Sequence, residues 1–376
     1  MSNDKARPAG APPVAATPAA ITAEWLTAMW QHLGHDAEVA TVTSRPIGTG
    51  QSAHSERFEL TYARHAAAPD GQLLPTSLVA KLPHPDPTSR ATGHVHGSYA
   101  REVGFYRHVA PTVQVRTPRC WYADIDTANS DFVLLLEDMA PARQGDQMRG
   151  CDVATARRAV VEIAGLHAPR WGDATLTELG FLAGAAAPDD ATKAFAQAFF
   201  ADCWASFVDR YRDRLEPAIL RVGEGLLAHY AGYTRTYTGP RCPTHGDYRL
   251  DNVLIRDGDA GARIGVVDWQ TAGIGCGASD VAYFLGAGLL PEARRANEQA
   301  LVRAYHEALR EGGVTGYDAE TLWHDYAHHT YAGYVMAVIA SKLVVRTERG
   351  DDMFMVMAHR HGQHALDVGA ERLIAT

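Results

Sequence analysis

Two short stretches of the chain concentrate side chains able to do chemistry. The first is Thr244-His245-Gly246-Asp247-Tyr248-Arg249-Leu250-Asp251-Asn252, and the second is Val266-Val267-Asp268-Trp269-Gln270. Asp247 and Asn252 lie five residues apart on a loop that runs into a short apolar strand, and Asp268 ends the next strand. A hairpin between those strands brings the three polar groups to one end. Two carboxylates and a carboxamide offer only hard oxygen donors, which suit Mg²⁺ and not a soft metal. Taken singly, Asp247 and Asp251 are common turn formers and Asp268 an ordinary strand cap. The combination of His-Gly-Asp, four residues, Asn, and then an apolar strand ending in Asp-Trp is what points to a cation site.

The elements that must position these groups follow from the periodicity. Ile21 to Leu33 has helical spacing, with Thr22 as N-cap and Gly34 as stop. Strands at Thr41 to Thr43 and Arg57 to Tyr62 flank a turn that carries Gly48-Thr49-Gly50. A third strand, Ser77 to Leu82, ends against Pro83, Pro85 and Pro87. A helix is expected over Ser98 to Val109, then strands at Cys120 to Asp124 and Phe132 to Leu136, closed by Glu137-Asp138-Met139. From Val153 the pattern is helical: Val153 to His167, Ala191 to Tyr211, Pro217 to Tyr233, Val281 to Leu290, Pro291 to Gly312, Ala319 to Val345 and Met353 to Leu373. A loop-rich island, Arg241 to Asp280, interrupts the helices and holds the two chemical stretches, with strands at Val253 to Ile255 and Ile264 to Val267. The expected fold class is α+β, a small β-rich lobe followed by a larger, mainly helical one. The expected divisions are an unstructured tail over 1–20, a first lobe over 21–138 and a second over 139–376.

The stretch His245 to Leu285 resembles the aminoglycoside phosphotransferase and choline kinase superfamily, a small-molecule branch of the bilobal protein-kinase-like fold, and most of all its ecdysteroid-kinase-like members. The resemblance covers nearly the whole chain from about Thr41. It implies an ATP- and Mg²⁺-dependent kinase acting on a small-molecule alcohol. By motif, Asp247 accepts or orients the substrate hydroxyl proton, and Asn252 and Asp268 hold Mg²⁺. His245 braces the loop, and Asp280 resembles the family's helix-start Asp that hydrogen-bonds it. Val79-Ala80-Lys81 and Arg101-Glu102-Val103 match the family's Lys–Glu pair, so Lys81 meets the nucleotide phosphates with Glu102 holding it. The chain has only four lysines among 35 Lys plus Arg, and a compact ammonium at this position does what the planar Arg fork does not. Gly48 and Gly50 fall where a phosphate-covering loop belongs, although Ala53 stands where a third glycine is found in protein kinases. The backbone at Glu137 and Met139 falls where the inter-lobe hinge meets adenine.

Other features limit the function classes. A net charge of -9 with scattered basic residues offers no nucleic-acid footprint. Five widely spaced cysteines without a Cys-x-x-Cys pair read as reduced thiols of a cytoplasmic protein, and no run reaches the ~18 apolar residues of a membrane span. His324 and His328 share the i,i+4 spacing of zinc sites, but their neighbours Trp323, Tyr326, Tyr331 and Tyr334 suit packing or an acceptor-pocket wall instead. Aromatics and histidines outnumber acidic residues on the late helices, which favours a neutral or partly apolar alcohol. A pseudokinase scaffold is the alternative; it is disfavoured because Lys81, Glu102, Asp247, Asn252 and Asp268 are all in place. The eleven residues between Asp268 and Asp280 are too few for a peptide-docking activation loop.

Overall fold

The computed structural model describes residues 10–48, 53–65, 73–184, 188–258 and 262–375. The chain divides into two compact units, one comprising 1–108 and 118–140 and the other 109–117 and 141–376.

The first unit opens with helix α1 (Ala23–His32), whose N-cap Thr22 accepts a hydrogen bond from the Trp25 N–H. Strands β1 (Ala37–Pro46), β2 (Ala53–His65) and β3 (Ser77–Pro83) follow. Helices α2 (Pro87–Val95) and α3 (Ser98–Gly104) then lead to β4 (Cys120–Asp126) and β5 (Asp131–Glu137). The strands form one antiparallel sheet in the order β1-β2-β3-β5-β4. Alternation along β3 sends Leu78, Ala80 and Leu82 into a core shared with Phe58, Leu60 and the α1 residues Leu26, Met29 and Trp30. The same alternation turns Lys81 to the opposite face.

Three expectations for this unit need correction. Within the segment expected to be an unstructured tail, the described residues 10–20 include the buried Ala15, a 3-10 turn at Pro18–Ala20, and the Pro13 carbonyl, which accepts from the Trp25 indole at 2.7 Å. The third proline after β3 begins a helix and does not merely end a strand. Asp86 caps α2 by accepting from Ser89 N–H, and Pro87 occupies the first turn, where its missing N–H costs nothing. The helix expected over Ser98 to Val109 is α-helical only through Gly104 and widens into a π turn at Phe105–Val109.

The second unit begins its regular structure with the two-residue strand β6 (Arg143–Gln144) and then helix α4 (Val153–His167). Next come α5 (Asp190–Tyr211), α6 (Pro217–Ala228) and the short α7 (Tyr230–Tyr233). The loop-rich island supplies β7 (Cys242–Thr244), β8 (Val253–Arg256), β9 (Arg263–Val266) and β10 (Gly273–Gly275). Helices α8 (Ala278–Gly288), α9 (Pro291–Glu311), α10 (Ala319–His328), α11 (Ala332–Leu343), α12 (Glu348–Val368) and α13 (Glu371–Ile374) complete it. An apolar cluster joins α5, α6, α11 and α12 through Phe200, Phe207, Ile219, Val338 and Phe354.

Three expected helices are interrupted. The run Ala319 to Val345 breaks at a 3-10 turn, His329–Tyr331, where the Thr330 hydroxyl bonds back to the Ala327 carbonyl. The run Pro217 to Tyr233 breaks at His229; one turn later Gly232 passes so close to Ile374 that a Cβ would stand 1.9 Å from its carbonyl oxygen. The last helix starts earlier than Met353 because Thr347 caps it, and it stops at Gly369, which takes φ +65°. No helix among the described residues is long and apolar enough to cross a membrane.

Candidate active site

The loop between β7 and β8 is built around a buried carboxylate. Asp280, in the first turn of α8 and only 1% exposed, accepts from the backbone N–H of His245 at 2.7 Å and of Gly246 at 3.0 Å. His167, at the end of α4, bonds the same carboxylate through Nε2 at 3.2 Å, and its Nδ1 meets the Tyr305 hydroxyl at 2.8 Å. Burial alone would raise the Asp280 carboxyl. The hydrogen bond and charge of His167, together with the His245 backbone N–H, outweigh it and hold the group below the usual carboxylate range. His167 is therefore part of the hydrogen-bonded support of this loop.

His245 braces the loop from within. Its Nδ1 accepts from Asp247 N–H at 3.2 Å, which leaves the ring proton on Nε2 to donate to the Val267 carbonyl at 3.0 Å. The imidazole thereby links the loop to the residue just before Asp268. Gly246 adopts φ +79°, and a Cβ there would lie 2.6 Å from the Thr271 carbonyl oxygen. Only glycine fits both demands. Gly246→Ala is expected to lower stability by about 1–3 kcal/mol, read from urea unfolding with the wild type alongside.

Asp247 is held from three sides. Its Oδ1 accepts from the Tyr283 hydroxyl of α8 at 2.8 Å, and its Oδ2 accepts from Asn252 Nδ2 at 2.9 Å and Arg249 Nε at 3.1 Å. Burial, then the neighbouring Asp247 charge, pushes the Tyr283 phenol far above its ordinary value, so it stays a proton donor to the carboxylate. Burial works against the Arg249 charge, but Asp247 and Asp251 more than offset it, and the guanidinium holds its proton more tightly than usual.

The β8–β9 hairpin sets the backbone of Asn252 against Val267, the residue before Asp268. Val253 pairs with Val266, and Val267 N–H donates to the Asn252 carbonyl at 3.0 Å. Asn252 is nearly buried and spends its amide nitrogen on the Asp247 carbonyl and Oδ2, which leaves Oδ1 as its oxygen donor. Asp268 takes the left-handed conformation, φ +69°, one of two non-glycine residues to do so among those described. Trp269, which follows, is fully buried and donates to Thr117 Oγ1 at 3.0 Å, so the turn that aims Asp268 is anchored. This donor set fits a hard divalent cation. Among the described residues no three His, Cys, Asp or Glu gather as a metal nest, but Mg²⁺ is commonly bound by one or two protein oxygens together with substrate phosphates.

In the first unit, Lys81 Nζ lies 2.8 Å and 2.7 Å from the two carboxylate oxygens of Glu102. The Glu102 side chain is 2% exposed and that of Lys81 13%, so the pair sits inside the unit rather than on its surface. At the end of β5, Glu137 N–H donates to the Arg119 carbonyl, and Arg119 N–H donates back to Glu137 Oε2. Asp138 fixes the residues that follow by accepting from Arg57, Ser77 and Ala140 N–H, while Met139 is half-buried. Gly48 has φ +72° with open space where a Cβ would be; Gly50 lies outside the described residues.

The ecdysteroid kinase-like family model matches residues 57–313, well over half of the 376. The chain belongs to this family. The match takes in Lys81, Glu102, Glu137, Met139, Asp247, Asn252 and Asp268. Comparison with curated proteins returned no match. Among solved structures, the chain is similar to aminoglycoside 2'-phosphotransferase-IIIa in its GDP complex, at 13% identity and a TM-score of 0.49, with 90% of this chain and 98% of that one covered. It is similar to an ethanolamine kinase of Plasmodium vivax at 10% identity and a TM-score of 0.48, covering 90% and 88%. A ternary complex of a thermostable aminoglycoside phosphotransferase APH(4)-Ia mutant with AMP-PNP and hygromycin B aligns at 14% identity and a TM-score of 0.47, covering 91% and 96%.

Several residues around the site of this kinase-like protein carry no recognisable sequence signal. Gln147 accepts from Leu250 N–H through Oε1 and donates its own N–H to Asp251, while Gln144 Nε2 donates to the Asp251 carbonyl. Arg360 of α12 ties the same segment to α8 by donating to the carbonyls of Gln147, Met148 and Ala287. Of the aromatics that suit packing or an acceptor-pocket wall, Tyr326, Tyr331 and Tyr334 are buried, and Tyr334 bonds the Ile219 carbonyl. His328 bonds the Tyr233 carbonyl through Nε2, and His324 lies 3.5 Å from Asp325.

Proposed function

We propose that this ecdysteroid kinase-like protein is an ATP- and Mg²⁺-dependent phosphotransferase acting on a hydroxyl group of a small molecule. The observation that carries the reading is the fixed carboxylate of Asp247, hydrogen-bonded to Asn252, which the β8–β9 hairpin joins to Asp268. Asp247 takes the proton of the acceptor hydroxyl as its oxygen forms a bond to the γ-phosphorus and the bond to the ADP oxygen breaks. Asn252 and Asp268 hold Mg²⁺, which when bound supplies charge neutralisation on the phosphates. Lys81, fixed by Glu102, binds the nucleotide phosphates; Gly48 and Gly50 belong to the loop that covers them. The backbone at Glu137 and Met139, steadied by Asp138, takes adenine. Catalysis is then mainly placement and charge complementarity, with a single proton moved.

The reading is tested by ADP formation. Purified protein with Mg-ATP and a pool of small-molecule alcohols is expected to release ADP above the rate without alcohol, and none once EDTA removes the divalent cation. ADP release indifferent to both counts against it. Lys81→Ala is expected to weaken Mg-ATP binding by about ten- to a hundredfold, the value of a charge-assisted contact, measured by calorimetry. Lys81→Arg is expected not to restore it, because a larger planar fork does not place its charge where the compact ammonium does.

A further inference from the structure

Arg249 has no part in the chemistry above, yet its side chain bonds the proposed base directly. Its Nε lies 3.1 Å from Asp247 Oδ2 and its Nη1 2.7 Å from Asp251 Oδ2. The three side chains are 16–19% exposed, so this bridge is not a solvated surface pair. Nη1 also lies 3.3 Å from the Met353 sulfur of α12. Asp251 in turn is anchored, its Oδ1 by Gln147 N–H at 3.0 Å and its carbonyl by Gln144 Nε2 at 2.5 Å. The guanidinium is thus held on one side by a fixed carboxylate and presents a fixed donor to Asp247.

Counting lone pairs gives this bridge a chemical consequence. Each carboxylate oxygen accepts two hydrogen bonds. Oδ2 of Asp247 receives two, from Asn252 and Arg249, and Oδ1 receives one, from Tyr283. One acceptor position on Oδ1 is therefore without a donor among the described residues. Oδ1 is the oxygen bonded to Tyr283, which itself packs in the apolar cluster of α5, α6, α11 and α12. We propose that Arg249 is a positioning residue of the transfer site, which closes Oδ2 and makes Oδ1, beside the Tyr283 hydroxyl, the atom that receives the acceptor's proton. The inference rests on the phosphotransferase reading. The acceptor proton passes to Oδ1 while the new O–P bond forms, and the electron pair of the broken P–O bond leaves with ADP.

Arg249→Met keeps the length of the stem and removes the fork, and Arg249→Lys keeps the charge alone. Each is compared with the wild type for ADP formation from Mg-ATP with a metabolite extract as acceptor source, for Mg-ATP affinity by calorimetry and for thermal stability. A misaimed base costs on the order of a hundredfold in turnover. Arg249→Met is expected to show that loss with Mg-ATP affinity within about twofold, since the base does not bind the nucleotide. Arg249→Lys is expected to recover part of it. Wild-type turnover in Arg249→Met overturns the proposal. So does a joint fall of turnover, affinity and stability in which Lys does no better than Met, because that marks mere support of the loop. If the wild type itself forms no ADP, the phosphotransferase reading has failed, and crystal structures of wild type and Arg249→Met decide the role of Arg249. An Asp247 carboxylate turned away from Tyr283 in the variant supports it, and an unmoved one bonded to Tyr283 and Asn252 overturns it.

Discussion

Asp247→Asn is expected to reduce phosphoryl transfer by about 10²–10⁴-fold, the range of a positioned general base, while leaving Mg-ATP affinity nearly unchanged. The substitution is close to isosteric, and Tyr283 can still donate to the remaining amide oxygen. What it removes is the carboxylate that, on the proposed reading, takes the proton of the acceptor hydroxyl. It also places an amide nitrogen where either Asn252 Nδ2 and Arg249 Nε or the Tyr283 hydroxyl now donate. Turnover and nucleotide affinity should therefore separate, and calorimetry beside ADP formation reads both. A loss confined to affinity would mean that Asp247 serves the nucleotide and not the hydroxyl.

The second large effect is structural. Asp280→Asn is expected to cost about 3–5 kcal/mol, the usual penalty for removing one member of a buried charged network. The wild-type carboxylate accepts from two backbone N–H groups and from His167 at once. An amide has one acceptor oxygen and turns donors toward donors. The same group gives stability a pH dependence of known sign. Because its folded value is lowered, its contribution is fully present above the unfolded value of about 3.9 and is lost as pH falls through the lower folded value. Urea unfolding across acidic pH should show this fall in the wild type and a weaker one in Asp280→Asn. A variant of wild-type stability would show that the loop does not depend on this carboxylate.

The contrast between these residues and their neighbours explains how much was legible in the sequence. Asp247, Asn252, Asp268 and Asp280 lie in one short island, where spacing along two strands and a helix start fixes their relation. Lys81 and Glu102 meet because strand alternation and one helix turn both point inward, and the shortage of lysines marks the first of them. Arg249 was in plain view, but its two carboxylate partners depend on the curl of the loop, which no periodicity encodes. Gln144 and Gln147 reach the loop from more than 100 residues away in sequence, Arg360 holds Gln147 from farther still, and nothing local announces such contacts. The core helices were legible as apolar periodicity, but their interruptions were not. A threonine back-bond at Thr330 and a close backbone approach at Gly232 decide where they break.

The most direct test of the whole account is to follow a labelled γ-phosphoryl group. Wild-type protein and Asp247→Asn are incubated with Mg²⁺ and γ-labelled ATP in a broad metabolite extract, and new labelled compounds are sought by mass spectrometry. The account predicts a labelled phosphate ester of a small-molecule alcohol with the wild type and almost none with the variant, although both bind Mg-ATP. Label transferred equally by the two proteins, or no binding of Mg-ATP by the wild type, would contradict it.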